Sequence, residues 1–329
     1  MDLKRFKAEN NNIFDDENLE AELYKYYDPT MIFIGTKLKV AQHEWEENIY
    51  GYDNLSAKHL SSSILNFNGD IVLTLKNKLF IKIEINPECP DEQHFLYVLD
   101  PTISCYALID ILDCSYKVAA NSKFLFVGDN KGVIKIYNLH NYFCVGIWDT
   151  KCELLIAMHV NNNTLYLDTW TKILVYNIGP QLQLVPRHRI YNNSSDIWYK
   201  NHGDSMIVHE SKFFHHIEHE FWVYDLQTRR YLRSFHDIES YFVDTQYRLL
   251  FLGGSDGQVT TLDLDSLATL LMVPVNNVEI SSIHLNHNKL LISSGSQVYV
   301  YERLWRLGFR PLHIINVAGN VVKVVITSN

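Results

Sequence analysis

Three histidines and two glutamates fall within the six residues His215 to Glu220, in the stretch SKFFHHIEHE. Histidine and glutamate are zinc ligands, and a four-coordinate site could draw on two or three of His215, His216 and His219 with Glu218 or Glu220. The spacing is not HExxH and no CxxC supplies further ligands. Neighbouring residues of an extended strand also point to opposite faces. The expectation is therefore a polar hairpin loop, with no metal and no cofactor. Other catalytic signatures are missing: there is no GxSxG, GxGxxG or GxxxxGK[ST]. The stretches VGDNKG and GGSDG lie between two apolar runs rather than before a helix, so they read as tight turns and not as phosphate cradles. No enzyme is predicted.

Arginine is the second residue type with chemistry to offer, because its planar fork recognises carboxylate or phosphate in a bidentate way. Nine of the ten arginines follow residue 180. Eight of them form three groups: Arg187 and Arg189; Arg229, Arg230 and Arg233; and Arg303, Arg306 and Arg310. Trp305 lies inside the third group, and aromatic residues beside arginine are favoured partner anchors. The formal charge of −9 argues against general nucleic-acid binding, which rests on neutralising phosphates. Nucleic acid is expected only through a larger complex.

Strands must position these residues. From residue 31 onward, short runs rich in Val, Ile, Leu, Phe and Tyr alternate with Gly, Asn, Asp and Ser clusters. Helical periodicity is confined to 15–27, where Leu19, Leu23 and Tyr26 share one face of a short amphipathic helix that could dock on a neighbouring subunit. The division expected is 1–28 as an extension and 29–329 as one domain. Seven hairpin-like units recur, at 31–45, 70–85, 123–139, 163–178, 205–226, 248–264 and 289–304, mostly about 40 residues apart, a spacing that suits four-stranded units.

The order Tyr-Asp, basic linker, strand, His, strand, Asp244 and GGSDG across Phe221–Leu264 resembles the WD40 repeat family. Tyr137-Asn138, Tyr176-Asn177 and Tyr224-Asp225 stand where that family has Trp-Asp. The resemblance implies an all-β, seven-bladed β-propeller. In it an N-terminal c/d hairpin would pair with C-terminal a/b strands, which would remove free sheet edges. The seven hairpins would be the c and d strands of their blades, and the arginine groups would occupy d-to-a linkers on one rim. The linker NPECPDEQH, after 70–85, would make the same rim acidic at the first blade. The function implied is a non-enzymatic scaffold, a subunit that binds other proteins through acidic or phosphorylated peptides. Two alternatives are the substrate receptor of a ubiquitin ligase and a phosphoinositide-binding propeller, the latter weakened because the residues after Thr228 read Arg-Arg-Tyr without the expected glycine.

Five cysteines, odd in number and without CxxC spacing, suit a reducing compartment. No signal-peptide core and no membrane-spanning run is present, so cytoplasm or nucleus is the expected location.

Overall fold

The computed structural model describes residues 31–39, 45–53, 69–75, 78–84, 93–100 and 105–113, and most of 116–326. Within 116–326, residues 153, 170–171, 180–181, 183, 192–204, 218, 229, 287 and 318 lie outside the description. The helix expected around Leu19, Leu23 and Tyr26 lies outside it too.

All regular structure among the described residues is strand. β1 (Met31–Lys39) and β2 (Trp45–Asp53) form a hairpin. Six four-stranded antiparallel sheets follow in chain order. The first holds β3 (Gly69–Leu75), β4 (Lys78–Glu84), β5 (Gln93–Asp100) and β6 (Cys105–Asp113). The second holds β7 (Tyr116–Ala120), β8 (Phe124–Asp129), β9 (Val133–Asn138) and β10 (Cys144–Asp149). The third holds β11 (Leu155–Asn161), β12 (Thr164–Thr169), β13 (Lys172–Ile178) and β14 (Leu184–Tyr191). The fourth holds β15 (Ser205–His209), β16 (Lys212–Ile217), β17 (Glu220–Asp225) and β18 (Arg230–His236). The fifth holds β19 (Ile238–Asp244), β20 (Leu249–Gly254), β21 (Gln258–Asp263) and β22 (Thr269–Pro274). The sixth holds β23 (Ile280–Asn286), β24 (Lys289–Ser294), β25 (Gln297–Trp305) and β26 (Gly308–Asn316). Finally β27 (Asn320–Ile326) pairs with β1, from Ile32↔Ile326 to Lys37↔Asn320, giving a three-stranded sheet in the order β2-β1-β27.

Burial is greatest in the second strands and least in the fourth. First strands of successive sheets pack together, as β7 does on β11 and β19 on β23. Second strands lie between sheets and are covered on both faces, which is why β8, β20 and β24 read as near-continuous apolar runs. Third strands alternate, as in β9 and β21. Fourth strands such as β10 and β22 are largely exposed. The core is thus a series of clusters between neighbouring sheets. Phe126, Ile134 and Ile136 of the second sheet meet Leu155, Leu165 and Leu167 of the third, and Phe214, Phe221 and Val223 of the fourth meet Ile238, Leu250 and Leu252 of the fifth.

The tight turns form as their residue types require. Gly132 and Gly257 both have positive φ, 80° and 76°, between second and third strands. The Asp or Asn that closes a third strand caps the turn to the fourth. Asp225 Oδ1 accepts from the N–H groups of Gln227 and Thr228 (2.7 and 2.8 Å), and Asp263 Oδ1 accepts from those of Asp265 and Ser266 (3.1 and 2.9 Å). The leucine that follows donates its N–H to the turn between first and second strands: Leu139 to Lys123, Leu226 to Ser211, Leu264 to Arg248. This is the physical content of the tripeptides Tyr-Asn-Leu, Tyr-Asp-Leu and Leu-Asp-Leu.

Three expectations about register are corrected. The hairpins at 123–139, 163–178, 248–264 and 289–304 are second and third strands of their sheets, not third and fourth. The unit 205–226 contains three strands, and 70–85 supplies the first two of its sheet. The last two strands belong to different sheets, since β26 ends the sixth and only β27 pairs with β1. One cause underlies all three: a hairpin specifies its own pairing but not which neighbours flank it, and exposed fourth strands read as linkers.

Candidate interaction surface and the seams between sheets

The histidine cluster is a cluster in sequence only. His215 and His216 are adjacent on β16, so their rings leave opposite faces of the sheet. His215 is buried toward the third sheet, where its Nε2 lies 2.9 Å from Oδ2 of Asp168 on β12. His216 Nε2 lies 2.8 Å from the Ile238 carbonyl oxygen of the fifth sheet. His219, in the turn before β17, is exposed, and its Nδ1 is 2.7 Å from Glu239. The lengthened loop expected here is in fact a whole strand, and no group of three or more metal-ligating side chains exists among the described residues.

Asp168 is fully buried, 0% exposed. Burial pushes its carboxyl pKa up, and the neighbouring His215 pulls against that shift. Tyr224, packed alongside, is pushed up to about 12, chiefly by burial and then by the nearby Tyr231 and Asp168. The clue in the sequence was a carboxylate inside the otherwise apolar stretch LYLDT. Sequence reading passed over it because its partner is 47 residues away.

The arginines also divide. Arg303 does not face an open rim, and this corrects the expectation. It is 7% exposed; its Nη2 donates to Asp244 Oδ2 at 2.7 Å, and its guanidinium stacks over Tyr247 and Phe309, 4.2 and 5.3 Å from their centroids. Asp244, at the end of β19, also accepts from the Gln246 and Tyr247 N–H groups (3.1 and 3.2 Å), so Arg303 joins the sixth sheet to the fifth. Arg306 crosses the same seam, donating to the Tyr247 carbonyl (3.1 Å) and to Asp263 (2.9 Å). The Asp263 carboxyl is held down at about 2, first by the Ser266 backbone N–H and then by burial-opposed bonds that include Arg306. Arg233, on the outer strand β18, is exposed yet donates to the Leu267 carbonyl at 2.6 Å. Arg310, on β26, bonds Glu302 of its own sheet and keeps 60% side-chain exposure.

Arg230 is exposed on β18. Arg187 and Arg189 belong to β14, also a fourth strand, but their side chains and Arg229 lie outside the described residues. The described arginines of these groups therefore sit on third or fourth strands, or in the turn between them, rather than in linkers between sheets. The acidic linker after 70–85 joins a second strand to a third and is not their positional equivalent.

Arg248 was not singled out in sequence, yet it forms the largest exposed ionic network among the described residues. It bonds both Glu210 oxygens, at 2.9 and 3.1 Å, and both oxygens of Asp265, tying the fourth sheet to the fifth. The Arg248 hydrogen bonds hold both carboxyls below their ordinary values.

Large apolar side chains also remain open to a partner. Trp305 and Leu304, at the end of β25, are 64% and 57% exposed. A Cβ on Gly308 would collide with the indole, so the glycine lets the Trp305 ring lie against the backbone of its own hairpin. Ile147 on β10, Met272 on β22 and Ile314 on β26 are exposed on outer strands.

No protein-family model matches the chain, and no curated relative does. Solved structures do share its fold. A chain of the mitotic checkpoint complex is 12% identical, with 78% of this chain and 81% of that one covered at a TM-score of 0.57. AztD from Citrobacter koseri, in its apo form, is 13% identical, with coverage of 90% and 98% and a TM-score of 0.59. Sqt1 from Chaetomium thermophilum, solved with the N-terminus of the ribosomal protein L10, is 14% identical, with coverage of 75% and 74% and a TM-score of 0.53. The fold is thus an all-β assembly of repeated four-stranded antiparallel sheets, shared with these solved structures. No helix among the described residues is long and apolar enough to cross a membrane.

Proposed function

We propose that the seven sheets are the blades of one seven-bladed β-propeller, closed by β27 against the N-terminal β1 and β2, and that it serves as a non-enzymatic subunit binding other proteins. The observation that carries this reading is the exposed Leu304–Trp305 pair. A large apolar group held in place by Gly308 can be covered by a partner at little entropic cost, and tryptophan is the commonest kind of interface anchor. The exposed Arg230, on the fourth strand β18, favours an acidic or phosphorylated partner segment. Sqt1, which shares the fold, was solved with a peptide-like segment of another protein, the N-terminus of L10. The free thiols Cys144 and Cys152 favour a reducing compartment, cytoplasm or nucleus.

The test is quantitative affinity capture from the source cells, followed by mass spectrometry. Wild type and Lys131→Glu, a change in an exposed turn, should retain the same set of proteins. The double variant Leu304→Glu/Trp305→Glu should lose members of that set at an unchanged thermal midpoint. Identical sets from all three proteins would reject this surface.

A further inference from the structure

Where the first strands turn into the second, the ends of β7, β11, β15 and β19 surround a half-open cavity of about 870 Å³. That volume lies in the range of sites that take a ligand of several linked groups. Its chemistry is uneven. Phe124, Val160, Ile207 and Val243 give it an apolar side, and Lys123, Asn162 and Asn163 give it a polar edge. No carboxylate lines it among the described residues. The acids adjacent in sequence to lining residues are already bonded: Glu210, beside His209, has both oxygens taken by Arg248, and Asp244, between Val243 and Thr245, is bonded to Arg303.

The walls are fixed by asparagines that are already bonded. Asn121 Nδ2 donates to the Asn162 carbonyl (3.1 Å), and Asn121 Oδ1 accepts from the N–H groups of Lys123 and Phe124 (both 2.9 Å). Asn161 Nδ2 donates to the Val208 carbonyl (3.0 Å). The second, third and fourth sheets are thereby tied around the cavity. Asn162, in the left-handed region at φ 52°, and Asn163 are exposed at its edge, and their side-chain amides make no hydrogen bond among the described residues. His159 is half-buried in the wall and pushed down to about 4 by desolvation, so it is uncharged at neutral pH. Lys123, exposed and without an ion pair, is the one Lys, Arg, Asp or Glu among the described lining residues.

We infer that this cavity is a second binding site, for a short extended peptide carrying one acidic side chain flanked by apolar ones. Lys123 receives the carboxylate, the Asn162 and Asn163 amides bond the peptide backbone, and the apolar side takes the flanking groups. An amide can donate to a backbone carbonyl and accept from a backbone N–H at once, which suits a peptide better than a free acid. The inference shares the protein-binding reading above but uses a different surface.

The probe is fluorescein-labelled Gly-Leu-Glu-Leu-Gly, read by fluorescence anisotropy against its Gln and Lys counterparts. The Glu peptide should bind at least tenfold more tightly than the Lys peptide. Lys123→Glu should remove that preference, whereas Lys131→Glu, the same charge change at the other end of β8, should leave it intact. Equal binding of the three peptides, equal loss in the two variants, or displacement by N-acetylglutamate at the peptide's own concentration would overturn the site. Loss of binding in Leu304→Glu/Trp305→Glu would also overturn it. If peptides fail to bind but capture through Leu304 and Trp305 persists, only the cavity assignment falls.

Discussion

Two seams of this protein solve the same problem with different chemistry. Between the third and fourth sheets, Asp168 and His215 meet with 0% and 3% exposure; between the fifth and sixth, Asp244 and Arg303 meet with 7% each. Both place a charged or chargeable pair across apolar packing. Arginine keeps its charge at every pH a protein survives, while the buried Asp168 carboxyl is raised above its ordinary value and so holds a proton more tightly than an exposed carboxyl. The first seam is therefore tied to pH in a way the second is not. Neither pair is a site for a ligand, though both contain residues that would be chosen as one from type alone.

The largest expected effect is at the Arg303 seam. Arg303→Leu leaves Asp244 buried without its cation and should cost about 3–5 kcal/mol in urea unfolding. His215→Leu should cost less, about 1–3 kcal/mol, since Asp168 can answer the loss by taking a proton. A His215 variant as costly as the Arg303 variant would erase the distinction between the seams.

A pH series sharpens it. The folded-state pKa of Asp168 is raised, so the folded protein holds this proton more tightly than the unfolded chain does. Its contribution to stability is full below the ordinary carboxylate value of 3.8 and falls as pH rises through the raised value. Asp168→Asn removes that slope, so its stability relative to wild type should increase from pH 4 to pH 8. A constant difference over that range would mean that Asp168 does not titrate differently in the two states. The smallest effect is expected at the exposed Arg248 network. Arg248→Ala should lower the thermal midpoint slightly in dilute buffer and not measurably in 1 M salt, where exposed pairs are screened.

The repeat was legible because it rests on local rules. Gly132 and Gly257 announce tight turns through their permissive φ, and Asp225 and Asn138 mark strand ends through side chains that bond the next turn. Sheet register was not legible. β18, with the sequence RYLRSFH, is exposed along most of its length and lacks the alternation of a half-buried strand, so it reads as a linker. The seams were hidden for another reason: Asp168 and His215, or Asp244 and Arg303, are joined by sheet packing over 47 and 59 residues, and neither member carries a local sign of its partner. His215 and His216 show the reverse error, adjacent in sequence and sent to different sheets by the pleat.

The central claim is that side chains able to do chemistry are divided between seams that hold sheets together and surfaces left for partners. Two arginines of one sequence group test it directly: Arg303, buried across a seam, and Arg310, exposed and bonded within its own sheet. Urea unfolding of Arg303→Leu and Arg310→Leu, measured side by side, should show a loss of about 3–5 kcal/mol for the first and less than about 1 kcal/mol for the second. Equal and small losses would contradict the seam assignment and return Arg303 to the surface.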